Sequence, residues 1–205
     1  MLLRRNAIIL LVPALGVFAP SQLTGQLAVE VSAGARYTTA VVHDSIVTPF
    51  DVRPALAPAV AVTLAAPLEH GYAAQVTFDF STSELQRHEA DGSSVDLGRT
   101  STAALTVGLE RQLPAGFSAQ IGVGGIKYFG ESSGIFRLGS GSIAGLGALA
   151  LAHTLPLGGH YGFTVEARYD VHGFTTPALR EEGFDSPLTV HRVALSIRAK
   201  GRGPK

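Results

Sequence analysis

The chain of 205 residues contains no cysteine and only three lysines, Lys127, Lys200 and Lys205. Without cysteine it can form neither a disulfide framework nor a zinc site built on thiolates. Lys plus Arg and Asp plus Glu each number 16, which gives a formal net charge of zero, so no net field recruits a nucleic acid. A soluble β-domain usually solvates its surface with more lysine, and the scarcity of lysine therefore indicates a different solvent.

The first segment has the features of a secretory signal peptide. Arg4 and Arg5 form a positive start, and an apolar run follows from Ala7 to Phe18, as in the apolar region of a signal. This run is too short to cross a bilayer as a helix. We expect residues 1–25 to be removed, with an alternative cleavage site after Ser21.

Beyond residue 25, apolar and polar residues alternate with a period of two, which is typical of β-strands with two unlike faces. The clearest run, 161–172, reads YGFTVEARYDVH, and no stretch longer than a few residues has apolar positions at helical spacing. Runs of this kind predict eight strands, at 26–38, 55–66, 71–83, 100–112, 117–129, 140–153, 161–172 and 188–199.

The connections between these strands alternate in length. Short links lie around 67–70, 113–116 and 155–160, and long ones at 39–54, 84–99, 130–139 and 173–187. Short turns on one side and long loops on the other are typical of bacterial outer-membrane barrels. The sequence therefore predicts an all-β fold, an eight-stranded antiparallel up-and-down transmembrane β-barrel over 26–199, followed by a basic tail at 200–205.

Each short link carries a proline and then a glycine shortly before an aromatic residue, and these aromatics, Tyr72, Phe117 and Tyr161, recur 45 and 44 positions apart. Such a ring fits a membrane-interface girdle, because Tyr and Phe place an apolar body in lipid near the headgroups. Near the opposite strand ends, the predicted second girdle comprises Tyr37, Phe80, Phe129 and Phe174. The alternative is an apolar plug beneath each turn of a soluble barrel.

Alternation alone does not say which face points outward, because soluble lipocalin-like barrels invert the arrangement. Here the polar faces are mostly Gly, Ala, Ser, Thr and Gln with isolated charges, which suits a narrow lumen better than a solvated surface. Charges taken out of bulk water must pair, so we predict a lumen ion-pair network of Glu30, Arg36, Asp79, Glu110, Glu166, Arg168, Asp170, Arg192 and Arg198. The predicted lipid face comprises Val29, Val31, Leu56, Val60, Val62, Val76, Phe78, Leu105, Val107, Ile121, Val123, Phe163, Val165, Val193, Leu195 and Ile197.

The strand count, the alternation of turns and loops and the pattern of the last strand, from Gln26 to about Ala199, resemble the eight-stranded outer-membrane barrels. These are the OmpA transmembrane domain and the OmpX-like and OmpW-like proteins. The resemblance implies the bacterial outer membrane as location, outer-membrane lipid and lipopolysaccharide as partners, and the barrel-assembly machinery as partner during insertion. Members commonly end in an aromatic residue, whereas this chain continues through 200–205.

Two groups of residues are candidates for chemistry. His43, Asp44 and Ser45 could support nucleophilic hydrolysis, and lipid A deacylase barrels also carry His and Ser two positions apart. Glu166 and Asp170 flank Arg168 on one strand face, where an interior ion-pair ladder is the simpler interpretation. The histidines show no zinc spacing, and the sequence predicts no metal and no cofactor.

Three functions remain open from the sequence. The leading hypothesis is a non-enzymatic outer-membrane protein whose barrel is an anchor and whose four long loops meet an external partner of unknown identity, or support the envelope. The second is an OmpW-like conduit for small apolar compounds. The third is a lipid A-modifying hydrolase that uses His43 and Ser45.

Overall fold

The computed structural model describes residues 27–44, 49–131, 134–156, 161–183 and 186–201. The predicted signal peptide and most of the basic tail lie outside the described residues. Within those ranges there are ten strands and one short α-helix, α1 (Pro177–Glu181). The strands are β1 (Ala28–Thr38), β2 (Val42–Asp44), β3 (Phe50–Pro54), β4 (Ala57–Pro67), β5 (Tyr72–Glu89), β6 (Ser94–Gln112), β7 (Phe117–Gly130), β8 (Ala144–Pro156), β9 (Tyr161–Phe174) and β10 (Leu188–Gly201).

Eight of these strands, β1 and β4 to β10, form a closed antiparallel barrel. Each pairs with the next along the chain, and β1 pairs with β4 on one side and with β10 on the other. Tyr37, for example, stands opposite Val193 of β10, while Val31 stands opposite Val62 of β4. Closure leaves no free sheet edge along the wall, and the predicted eight-stranded antiparallel fold is confirmed. No helix of the described residues is long and apolar enough to cross a membrane.

The first and second short turns have the same backbone geometry. Each contains a three-residue 3-10 turn whose middle residue, His70 or Ala115, has φ near +60° (60 and 59°) and ψ 28°. Gly71 and Gly116 follow with φ +76° and +78°. Two consecutive residues in the left-handed conformation reverse the chain within a short turn, and glycine adopts this conformation at little cost. The proline, glycine and aromatic pattern of the sequence marks these turns.

The prediction of a long loop at 84–99 is wrong. Strands β5 and β6, which are 18 and 19 residues long, continue through this segment and meet at a tight turn. In that turn, Glu89 N–H donates to Ser93 O at 3.0 Å. The first long loop likewise contains β2 and β3, which pair with each other, and β3 also pairs with the upper part of β5. Alternation fails to report these segments because most of their positions meet water outside the bilayer, and only single residues such as Val42, Val52 and Leu85 are buried.

Inward-facing glycines let neighbouring strands approach closely in the barrel wall. At Gly124 of β7, a Cβ atom would lie 1.9 Å from the carbonyl oxygen of Leu105 in β6. No side chain fits at that distance without a shift of the backbone. The glycine-rich run 122–125 is therefore part of the wall and not a phosphate-binding loop.

The second turn offers a direct test of the backbone argument. Replacing Ala115 by glycine removes the steric strain of a side chain in the left-handed conformation, and it is expected to stabilise the folded barrel by about 1 kcal/mol. Gly116→Ala is the matched opposite change, because it places a Cβ at φ +78° and 3.0 Å from Thr154 O, and it should destabilise the barrel. Urea midpoints of both variants in lipid vesicles, followed by heat-modifiable gel migration, measure the two shifts. Equal midpoints would contradict the assigned turn geometry.

Candidate functional site: the barrel lumen and the outer sheet

The outer face of the barrel is an apolar belt. Ile121, Val123 and Leu195 expose 62, 63 and 60% of their surface, whereas Arg192 on the inner face exposes 1%. Of the predicted lipid face, all residues are exposed except Phe163, which is half-buried. A barrel that turns its branched side chains outward and its charges inward requires hydrocarbon as its solvent.

The first lumen layer, near the short turns, collects carboxylates around one arginine. This turn-end layer consists of Glu30, Glu110, Glu166 and Arg198. Arg198 donates to Glu30 Oε2 at 2.7 Å and also bonds to Glu166. Glutamine amides complete the layer, since Gln75 and Gln120 donate to Glu110 at 2.6 and 2.9 Å. The carboxylates of this layer outnumber its one arginine, and they accept hydrogen bonds from amide and guanidinium N–H groups.

The second layer lies at mid-barrel and contains three arginines and two aspartates. This arginine layer consists of Arg36, Arg168, Arg192, Asp79 and Asp170. Asp79 binds Arg36 through both carboxylate oxygens, the Nη2 to Oδ2 distance being 2.6 Å, and accepts from Arg192 Nη2 at 3.0 Å. Arg168 donates to Asp170 Oδ1 at 2.8 Å and to Thr106 Oγ1 at 3.3 Å.

All nine residues of the predicted lumen network point inward, eight of them buried and Arg168 half-buried. Each carries a charge-assisted contact to another member of the set. Such pairing is what a dry, narrow lumen requires, because an unpaired buried charge costs several kcal/mol, on the order of 3 to 5.

The third lumen region, at the loop end, is apolar. This apolar plug comprises Val41, Val42, Val52, Leu85, Ala104, Ile126, Tyr128, Phe136, Leu146, Phe174, Leu179 and Val190. Aromatic rings pack edge to face there, since Phe174 lies 4.8 Å from Tyr128 of β7 and 6.2 Å from Phe136 of the connection after β7, measured between ring centres. Tyr128 also hydrogen-bonds to His172 Nε2 at 2.9 Å, which joins the plug to the polar layers below.

The prediction that Phe174 belongs to an interface girdle is wrong. Its side chain is 3% exposed and packs inside the plug. Phe174 has the same parity as Glu166, Asp170 and His172, so the phase of β9 directs it into the lumen. Of the other predicted girdle residues, Tyr37, Tyr72, Phe80, Phe117 and Phe129 expose between 37 and 46% of their surface. The side chain of Tyr161 lies outside the described residues.

The plug is not predicted from the sequence, because its strand members are isolated apolar residues in polar strand faces. Ile126 and Tyr128 follow Gly122 and Gly124 on the inner face of β7, and the glycines of β8 obscure the phase that places Leu146 inside. The charged residues of β9 and β10 show which alternate positions of these strands face the lumen. Following the same alternation to the strand ends is the signal that could have predicted the plug.

The lumen has little free space. Two cavities of about 20 Å³ lie between the turn-end layer and the arginine layer. A cavity of this size holds about one water or one small ion. An interior filled by its own side chains is the norm for eight strands.

Outside the belt, β2, β3 and the upper parts of β5 and β6 form an outer sheet. His43 of β2 pairs with Asp51 of β3, and their side chains are joined by a 2.5 Å contact from His43 Nδ1 to Oδ1. Ser45, the proposed nucleophile, lies outside the described residues. At the hairpin tip, hydrogen bonds from the Ser93 side chain and backbone hold the pKa of Asp91 below its usual value.

Several solved outer-membrane barrels are similar in fold. Neisserial surface protein A has a TM-score of 0.49 at 9% identity, covering 86% of this chain and 99% of that one. OprG from Pseudomonas aeruginosa has a TM-score of 0.48 at 11% identity, covering 84 and 92%. Ail of Yersinia pestis, solved with the heparin analogue sucrose octasulfate, has a TM-score of 0.48 at 12% identity, covering 85 and 99%. No protein-family model matches the sequence, and no curated protein matches it.

The apolar belt, the closed sheet and the ion-paired lumen define the class: this chain is an integral β-barrel of the bacterial outer membrane. Its eight strands and short turns fit the OmpX-like and OmpW-like architectures. The belt of exposed apolar side chains agrees with the outer-membrane location expected from the sequence. Outer-membrane lipid is accordingly the solvent of the belt.

Asp79 is the sharpest test of the lumen network. Asp79→Asn leaves Arg36 and Arg192 buried without their shared carboxylate, and we expect a loss of about 3 to 5 kcal/mol in unfolding free energy. Glu131→Gln is the matched control, because it removes the same charge from an exposed residue and should change stability by less than about 0.5 kcal/mol. Urea titration in vesicles compares the two variants, and equal losses would contradict the network.

Proposed function

We propose that this protein is a non-enzymatic anchor that presents a β-sheet outside the outer membrane. The observation that carries the proposal is the outer sheet itself. β5 and β6 continue past the belt as a paired hairpin from Glu84 to Arg99, and β3 adds to it through pairing of Phe50–Pro54 with Leu85–Glu89. A membrane-spanning barrel does not require this extension.

The outer sheet has an edge suited to a protein partner. Pairing of β6 with β7 begins at Thr100, so among the described residues no strand pairs with Ser94, Val95 or Asp96 on the side away from β5. An open strand edge is a template on which an extended segment of a partner can add a strand. Val95, 51% exposed on this strand, supplies apolar area for such a contact.

The geometry at His43 supports the absence of catalysis. Its side chain and that of Asp51 are 67 and 41% exposed, and water surrounds them. Hydrolytic sites place their acid, base and nucleophile in a pocket with donors for the developing oxyanion. The pair on the outer sheet stands on an open face, where it contributes a surface hydrogen bond.

Export and insertion complete the proposal. Removal of residues 1–25 delivers the chain to the periplasm, and the barrel-assembly machinery inserts it through its last strand, β10. The barrel then contacts lipopolysaccharide in the outer leaflet and phospholipid in the inner leaflet. Its short turns face the periplasm and its outer sheet faces the exterior.

Epitope insertion tests this orientation. A tag inserted between Asp91 and Gly92, at the tip of the outer sheet, is expected to be labelled by antibody on intact cells. The matched control is the same tag between Glu69 and His70, in the first short turn, which should be labelled only after the outer membrane is permeabilised. Labelling of the second tag alone on intact cells would overturn the proposed display function.

A conduit for small apolar compounds is the second candidate, and the apolar plug favours it, because it offers an apolar environment at the external end of the lumen. As described, however, plug side chains such as Val190 and Phe136 are 0 and 3% exposed, which supports a closed state.

Conductance and uptake separate the two candidates. The purified barrel in planar bilayers should show no steady conductance, and liposomes that carry it should take up an apolar dye no faster than empty ones. The double variant Phe136→Ala and Leu179→Ala, which opens the plug, is the positive control for a leak. Wild-type uptake well above that of empty liposomes would favour the conduit over the anchor.

A further inference from the structure

We propose that the arginine layer binds a small inorganic anion, of the size of chloride, inside the barrel. The charges of the layer motivate this proposal. Arg36, Arg168 and Arg192 carry three positive charges against the two carboxylates of Asp79 and Asp170. A single bound anion would neutralise the layer, and in a low-dielectric interior such neutralisation is strongly favoured.

The hydrogen bonds of the layer point to the same ligand. Three guanidinium N–H groups, Arg36 Nε, Arg192 Nε and Arg192 Nη1, have no acceptor among the described residues. The side chains that carry them are only 2 and 1% exposed. Leaving a charged donor buried without a partner is costly, and native proteins rarely do so.

There is room for the ion beside Arg36. One of the two cavities of about 20 Å³ is lined by Arg36 and Arg168 together with the hydroxyl-bearing residues Ser32 and Thr63. Two carboxylates also border this cavity, but Asp79 is bonded to two arginines and Glu166 to Arg198 and Gln120. Because Arg192 shares Asp79 with Arg36, an anion beside Arg36 also offsets the charge of Arg192.

The second cavity, which Arg168 also lines, has no carboxylate in its wall. Its polar side chains are Gln75, Thr77, Thr106 and Gln120. Arg168 therefore offers its charge to both cavities, and the ion can be shared between a guanidinium and neutral donors. Hydroxyl and amide groups around one arginine are suited to an acceptor without protons of its own.

An anion fits this set better than a water molecule. The unpartnered arginine groups of the layer are all donors, and an anion beside Arg36 accepts from such a donor without adding one of its own. A water would accept two bonds and bring two further O–H donors, and it would leave the surplus positive charge in place. The carboxylates of the turn-end layer do not serve as acceptors for these arginine donors, because they accept from glutamine amides and from Arg198.

Anomalous diffraction from bromide tests the proposal. In crystals of the refolded full barrel grown in millimolar sodium bromide, we expect one anomalous peak in the lumen, within hydrogen-bond reach of Arg36 or Arg168. Arg168→Gln should lose that peak. Arg111→Gln is the matched control, because Arg111 is an exposed arginine near the short turns, and it should retain the peak.

A halide series in solution keeps the test decisive if Arg168→Gln fails to fold. At constant ionic strength, replacing gluconate by bromide should raise the unfolding temperature of the wild type saturably, by about 2 to 4 °C. Lumen density without anomalous signal, a peak that persists in Arg168→Gln, an adventitious ion only (a peak seen only at molar bromide), or a halide series without saturation would each overturn the proposal.

Discussion

The pairing of Asp79 with Arg36 and Arg192 inside the barrel is the interaction on which the rest of the structure depends. Hydrocarbon outside the wall offers no compensation for charge, so charged side chains in the middle of the wall have to turn inward and find their partners there. The two arginines come from β1 and β10, the first and last strands of the barrel, and the aspartate comes from β5. One buried carboxylate therefore ties the closing seam of the sheet to β5, the second strand from β1, and so links the register of these strands to the hydrogen bonds of the lumen.

The lumen has three regions with separate structural roles. The turn-end layer and the arginine layer hold the wall together by charge-assisted hydrogen bonds, which are strong where water is excluded. The apolar plug then closes the external end with side chains from strands and loops. Above it lies the outer sheet, whose Val42, Val52 and Leu85 pack into the plug. In the rest of this sheet, strand pairing and short-range polar contacts replace the layered order of the lumen. The membrane part is thus rigid and closed, and the part available to partners is the sheet beyond it.

The membrane-embedded part of the fold could be predicted from the sequence, because a bilayer imposes a strict period on residues such as Val165, Glu166 and Ala167. The same logic identified the lumen charges, since few other positions tolerate them. The logic failed where its cause is absent. Glu84 to Glu89 lie beyond the bilayer, and Leu85 is the one residue of this segment that joins the apolar plug, so no apolar alternation reveals the strand. The prediction for Phe174 fails because an aromatic residue at a strand end resembles a girdle residue, whereas the alternation of β9 places this position in the lumen. The contact between His43 and Asp51 depends on a hairpin that no periodicity predicts.

Site-directed spin labelling tests the central claim, that hydrocarbon lies outside the wall and a closed polar lumen lies inside. The chain has no cysteine, so single cysteines at Leu105, Thr106 and Val107 of β6 can be labelled without background. In vesicles, labels at Leu105 and Val107 should collide with dissolved oxygen and be shielded from a water-soluble nickel reagent, while a label at Thr106 should be shielded from both. Free access of the nickel reagent to Leu105 and Val107 would place water where the account requires lipid, and would contradict it.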